Sequence, residues 1–268
     1  MTSAPRIVGI SLVRNEDRFV DRALRNVLDF CDELHVVDHA STDGTPAILD
    51  RLARDAPHVS VVRTDDPRTS HDLIAPYAGR PVWVFGVDGD ELYEPERLDR
   101  LRARLIAGEF DRWWTVFGHV LHCTALDVDA GIARGHLAPP ARSMTKLYNF
   151  AAIDEWAGAV PQRLHGGTPR FREGYSADRR LAVFHEIDWE ATPFRCLHLC
   201  FVPRSSLDRA GRSRRNVSES QRAGVLASAY SALRGSRWKQ RKYRTGPIVE
   251  QRVDGFLRPA PLQVRAAP

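Results

Sequence analysis

Short apolar runs rich in β-branched residues recur through the first third of the chain, at Ile7–Val13, Leu34–Val37, Val59–Val62 and Val82–Val87. Segments of helical period lie between them. After Asp17, which is placed to cap a helix, Phe19, Val20, Ala23, Leu24, Val27 and Leu28 fall on one face. Thr45 is placed to cap a second helix, with Pro46 at its first position and Ile48, Leu49 and Leu52 inward. A further helix is expected from about Glu96 to Ala107. Strands spaced by helices predict an α/β fold with a mostly parallel sheet. Runs that do not alternate fit strands covered on both faces.

In such sheets ligands bind at the carboxyl ends of the strands. That rule selects Arg14-Asn15-Glu16, Asp38 and Asp88-Gly89-Asp90, all polar and charged. A dinucleotide GxGxxG and a P-loop GxxxxGK[ST] are both absent. Alternate side chains of an extended segment share a face, so Asp88 and Asp90 can point together, with room above Gly89. Paired carboxylates at a sheet edge suit Mg²⁺ or Mn²⁺, which still leave positions for water and phosphate. The competing reading is a solvated turn that caps the next helix. Haloacid-dehalogenase-type phosphatases also open on a spaced aspartate pair, but Leu92 after Glu91 and the late position argue against them.

Beyond Phe110 the pattern changes. Trp113–Leu121, Lys146–Phe150, Leu181–Phe184 and Cys196–Val202 read as strands, and 125–140, rich in Gly, Pro and Ala, reads as a loop. The formal net charge is +5, and from Arg204 to Arg244 only Asp208 and Glu219 oppose the basic residues. That stretch reads as helical to about Arg234, either a solvated face or a phosphate-binding one. The four cysteines make no zinc spacing, which predicts reduced, buried thiols in a cytoplasm. The start lacks a signal-peptide pattern, and no apolar run is long enough to span a bilayer.

ISLVRNED, ELHVVDHASTDGTPAIL and VWVFGVDGDEL together resemble the family 2 glycosyltransferases, closely over Ile7–Leu105 and loosely beyond. The resemblance implies a GT-A fold, a Rossmann-like sheet flanked by helices, with a helical basic C-terminal extension. It divides the chain into a nucleotide-sugar half at 1–122, an acceptor half of the same domain at 123–203, and the extension at 204–268. Val13, Arg14, Asn15 and Glu16 would lie near base and ribose, with Asp38 contacting one of them. Asp43 either shapes the turn or merely caps it. Asp88 and Asp90 would be the DXD-type motif, Asp90 binding the metal directly and Asp88 nearer the ribose. His198 resembles a late histidine that completes the Mn²⁺ or Mg²⁺ site, with His185 its rival. Arg204, Lys242 and Arg244 would neutralise the diphosphate.

The implied reaction is metal-dependent, inverting transfer from a nucleoside-diphosphate sugar to a hydroxyl or amine acceptor, on a small bacterial metabolite or an envelope precursor. Direct displacement needs one base. Asp154 and Glu155, beside Trp156, are the candidates, with Glu186 the alternative. Relatives carry Val-His-Glu after Trp-x-Gly, where this chain has Val160-Pro161-Gln162, and Gln162 cannot act as a base. Two other functions stay open: a sugar-nucleotide nucleotidyltransferase, disfavoured by the missing Gly-rich loop, and a nucleic-acid-binding protein using the basic tail. Nucleic acid is not the expected partner. A homodimer is left open.

Overall fold

The computed structural model describes residues 4–66, 68–158, 167–182, 187–208 and 243–257. It opens with the expected alternation: β1 (Arg6–Val13), α1 (Val20–Arg25), β2 (Glu33–Asp38), α2 (Thr45–Asp55), β3 (Val59–Arg63), α3 (Thr69–Ile74) and β4 (Val82–Gly86). The strands lie side by side and parallel in the order β4-β1-β2-β3. Every residue of β4 is buried, as expected for a strand covered on both faces. Leu49 and Leu52 of α2 are fully buried, each worth about 1.5–3 kcal/mol of transfer free energy.

The remaining elements are β5 (Glu91–Tyr93), α4 (Pro95–Ile106), β6 (Thr115–Asp127), β7 (Ile132–Ala138), β8 (Met144–Asn149), β9 (Ile153–Gly158), β10 (Gly167–Phe171), β11 (Arg180–Leu181), β12 (Arg195–His198), β13 (Ile248–Arg252) and α5 (Asp254–Leu257). The sheet continues past β4 through β8, β6, β7 and β13, with those neighbours antiparallel. On one side of the sheet Phe30, Phe85, Tyr93 and Phe194 pack as a chain of rings with centroids 5.0–5.9 Å apart along successive contacts. On the other, Trp114, Tyr148, Phe150 and Trp156 form a similar chain, with centroids 5.2–6.2 Å apart.

Several local expectations are corrected. Helix α1 starts at Val20 with no side-chain cap, because Asp17 is engaged elsewhere. Thr45 does not cap α2; its Oγ1 accepts the Glu16 backbone N–H (2.8 Å), while Asp43 Oδ1 takes the Thr45 N–H (2.9 Å). The loop expected at 125–140 is largely the β6–β7 hairpin. A side chain at Gly135 would place its Cβ 2.2 Å from the His122 carbonyl oxygen, so this glycine permits close strand approach instead of marking a loop. In the C-terminal part, β13 pairs with β7 instead of lying in an irregular tail. The helix expected to Arg234 falls at 209–242, outside the described residues.

Candidate active site

The carboxyl edge of the parallel strands is where charge collects. Val13 at the end of β1 is in register with Asp38 at the end of β2. Asn15 then turns with φ 53°, a conformation Asn tolerates better than most residues. Its backbone N–H donates to Ser41 Oγ (2.8 Å), and its Oδ1 accepts the Thr42 N–H (2.6 Å), tying the two turns together. Ala40, at φ 52°, lacks such a side chain and costs about 1–2 kcal/mol there. The buried Asp38 carboxylate accepts the Ser41 N–H (3.1 Å), with Arg63 Nε 3.7 Å away. Burial, then neighbouring Arg14, holds the adjacent His39 below the usual imidazole range.

The acidic turn after β4 divides its carboxylates. Asp88 is half-exposed, and Asp90 and Glu91 are buried. Gly89 leaves room for the Glu16 carboxylate: a Cβ would sit 2.1 Å from Glu16 Oε2 and 3.1 Å from Val13 Cγ1, and Glu16 would have to shift. Arg204 Nη1 donates to Asp90 Oδ2 (2.5 Å) and to Glu16 Oε1 (3.0 Å). Burial works against that guanidinium charge, but the Asp90 and Glu16 carboxylates outweigh it and raise the Arg204 pKa. The repulsion among the carboxylates is therefore met by a buried cation that the protein itself supplies.

Strand pairing brings histidines to the same place. β12 lies between β5 and β6, with His198 opposite Glu91 on one side and His122 on the other. The Leu199 N–H donates to the Asp90 carbonyl (2.8 Å), which fixes β12 against the acidic turn. His122 Nε2 lies 2.7 Å from the Arg142 carbonyl, which can only accept, so the His122 proton is on Nε2. His122 Nδ1 is then an acceptor, and His198 Nδ1, 2.9 Å away, donates to it. A neutral His198 therefore carries its lone pair on Nε2, which lies 3.6 Å from Asp90 Oδ2. A carboxylate and an imidazole lone pair converging at a sheet edge, with Asp88 two residues from Asp90, fit a divalent cation of the Mn²⁺ or Mg²⁺ kind.

The match to known proteins follows this geometry. Residues 10–124 match the family model described as glycosyl transferase family 2. This stretch is similar to a glycosyl transferase family 2 domain. The match contains Glu16, Asp38, Asp88, Asp90 and His122, and stops before His198 and Arg204. No curated protein matches the chain. Among solved structures, it resembles a mannosyltransferase from Pyrobaculum calidifontis in complex with GDP-Man and Mn²⁺, at 24% identity over 44% of this chain and 36% of that one, TM-score 0.34. It also resembles glucosyl-3-phosphoglycerate synthase from Mycobacterium tuberculosis in complex with phosphoglyceric acid, at 18% identity over 56% of this chain and 58% of that one, TM-score 0.35. The chain thus spans 36% and 58% of their lengths. Mannose-6-phosphate isomerase from Helicobacter pylori scores the same 0.35 at 8% identity, over 72% of this chain and 96% of that one.

Outside the family 2 match, the segment 204–208 latches onto the domain. Ser205 Oγ donates to Asp43 Oδ2 (2.5 Å), Ser206 Oγ to Asp17 Oδ2 (2.5 Å), and the Arg18 N–H to the Arg204 carbonyl (3.1 Å). Hydrogen bonds from Ser205 and Thr45 outweigh burial and hold Asp43 below the usual carboxylate range. The chain returns at Tyr243, whose ring lies over His122 (4.4 Å) and edge-on to His198 (5.4 Å). Arg244 stacks on Phe201 (4.3 Å), so it too is near β12. Lys242, His185, Glu186 and Gln162 lie outside the described residues.

Asp154 and Glu155 are not brought to this edge. They sit on the β9–β10 hairpin, where Arg170 bonds both (2.9 Å each) and Arg172 bonds Asp154 (2.9 Å). Just before them, the Phe150 carbonyl accepts the N–H of Gly79, which precedes β4, and Asn149 is opposite Trp83. That is the amino edge of the sheet, opposite the acidic turn. His122 is the reverse case, a site residue that sequence reading passed over. The expected strand ended one residue before it, although an additional histidine on the same run was a usable signal.

Proposed function

We propose that the chain moves a sugar from a nucleoside diphosphate to a hydroxyl or amine acceptor, with a divalent cation and inversion at the anomeric carbon. The observation that carries this reading is the convergence of Asp90, Glu16, Arg204 and His198 at the carboxyl edge, inside and beside a family 2 domain. The Asn15–Thr42 turn and the buried Asp38 form the wall where base and ribose would lie. Asp90 and His198 Nε2, with Asp88 toward solvent, would hold the cation. Bound Mn²⁺ or Mg²⁺ supplies Lewis-acid stabilisation of the departing diphosphate. Arg204 already carries positive charge beside Asp90 and can turn it toward phosphate oxygens, while Arg244 offers a second guanidinium. No base is assigned to Asp154 or Glu155, given their ion pairs at the other edge.

Among the described residues, no helix is long and apolar enough to cross a membrane. The reading is tested by thermal shift with UDP, GDP and dTDP, each with and without Mn²⁺. One nucleotide is expected to stabilise the protein in a Mn²⁺-dependent way, and Asp90→Ala to abolish that dependence and transfer while the protein still folds. Stabilisation of wild type by no diphosphate under either condition sinks the reading.

A further inference from the structure

Behind the face of His198 that meets Asp90 lies a second set of ligand atoms, which the transfer reaction does not use. His122, His198 and Cys200 are all buried, and one ligand atom from each lies within 4.8 Å of the other two. Two imidazoles and a thiol are the donor set of zinc, not of magnesium or manganese. Tyr243 covers the pair of rings. We propose that His122 Nδ1, His198 Nδ1 and Cys200 Sγ form a zinc site, and that zinc held there antagonises the hard-cation face of the same histidine.

The spacing of the two histidines is close to what such an ion requires, and the Cys200 thiol, within 4.8 Å of them, would have to close in. The two Nδ1 atoms are 2.9 Å apart. A tetrahedral ion with Zn–N bonds of about 2.0–2.1 Å holds two nitrogens about 3.3 Å apart, so the rings must separate by about 0.4 Å. His122 needs no change of tautomer, since its Nε2–H already donates to the Arg142 carbonyl and leaves Nδ1 with its lone pair. His198 must carry its proton on Nε2 instead of Nδ1, and the Cys200 thiol releases its proton to solvent. The new Nε2–H then faces Asp90 Oδ2, now 3.6 Å away. A carboxylate, a histidine and zinc in line is a familiar arrangement in which the carboxylate fixes the ring and raises its basicity. In that state Nε2 has no lone pair left for a second ion. Zinc and the nucleotide-linked cation thus compete through one imidazole without sharing a position. Binding at this site stands by itself; only the antagonism rests on the proposed function.

Cobalt(II) serves as the spectroscopic probe. Titrated into the full-length wild type without nucleotide, it should give a thiolate-to-cobalt charge-transfer band that saturates at one equivalent and is bleached by Zn²⁺. Cys200→Ser should lose the band, whereas Cys123→Ser and Cys196→Ser should keep it. Asp90→Ala should keep it too, even though its Mn²⁺ response is gone, which separates this site from the transfer site. No band in wild type, or a band that survives Cys200→Ser, overturns the zinc site. Should Cys200→Ser fail to fold, the wild type still decides: Zn²⁺ must protect Cys200 from alkylation, read by peptide mass spectrometry, and absence of protection overturns the proposal. For the antagonism, Zn²⁺ should suppress the Mn²⁺-dependent thermal shift in wild type, and suppression in Cys200→Ser should need roughly tenfold more zinc or greater, since losing a direct ligand costs at least as much as altering an outer partner. Equal zinc sensitivity of the two proteins overturns the antagonism.

Discussion

Replacing Arg204 with methionine removes the one cation on the described residues that touches both Glu16 and Asp90. The side chains of Arg204, Glu16 and Asp90 are 13%, 8% and 3% exposed, so water cannot take over the role of the guanidinium. Breaking a buried ion pair from one side leaves uncompensated charge and costs about 3–5 kcal/mol. For a chain of 268 residues that corresponds to a fall in melting temperature of about 6–10 °C near neutral pH. Thermal and urea unfolding of both proteins near neutral pH measure the effect. Combining Arg204→Met with Asp90→Asn should recover part of the loss, because one of the stranded charges is gone. A fall of less than about 2 °C would refute the reasoning, since it would mean that the carboxylates do not depend on this cation.

Gly89→Ala should disturb the site from its floor: with a Cβ 2.1 Å from Glu16 Oε2, overpacking costs about 1–3 kcal/mol, and both stability and nucleotide affinity fall, by urea unfolding and calorimetry. Asp154→Asn with Glu155→Gln should leave turnover and melting temperature near those of wild type, because the pairs they lose are solvent-exposed; a large drop in turnover alone would return the base to that hairpin. Asp32 is held below the usual carboxylate range: burial opposes this, but hydrogen bonds and charge from Arg102, with the Ile7 N–H, outweigh it. A lowered carboxyl contributes stability above its unfolded pKa and loses it as pH falls through the folded value, so Asp32→Asn should flatten the acid limb of the stability curve below about pH 4.

The parallel half was legible because burial on both faces writes itself into a strand as an unbroken apolar run, as in Val82–Gly86. The acidic turns were legible for a topological reason: a parallel strand delivers its next residues to the ligand edge whatever they are. The β6–β7 hairpin was hidden because Gly135 looks like a loop residue when its role is to let β7 approach the His122 carbonyl. Asp154 and Glu155 were not placed at this edge for the opposite reason. Their acidity is answered by Arg170 and Arg172 on the partner strand, and no local pattern announces a cross-strand ion pair. His122 and His198 are 76 residues apart, and only the pairing of β12 with β6 makes them neighbours. A spacing rule has no purchase on such a pair.

That pairing also explains how the site depends on chain beyond the family 2 match. His198 and Arg204 both reach the same oxygen, Asp90 Oδ2, at 3.6 Å and 2.5 Å. An ion that takes this oxygen must share it with the guanidinium or displace it. Displacing Arg204 onto nothing would strand a buried charge, which is costly. Displacing it onto the oxygens of a diphosphate exchanges one anionic partner for another. Under the proposed function, cation and nucleotide should therefore bind with positive coupling: the cation alone stabilises the protein little, and the two together stabilise it by more than the sum of their separate effects. On that reading, the acidic turn would owe its selectivity for a cation that arrives with a diphosphate to an arginine more than a hundred residues downstream.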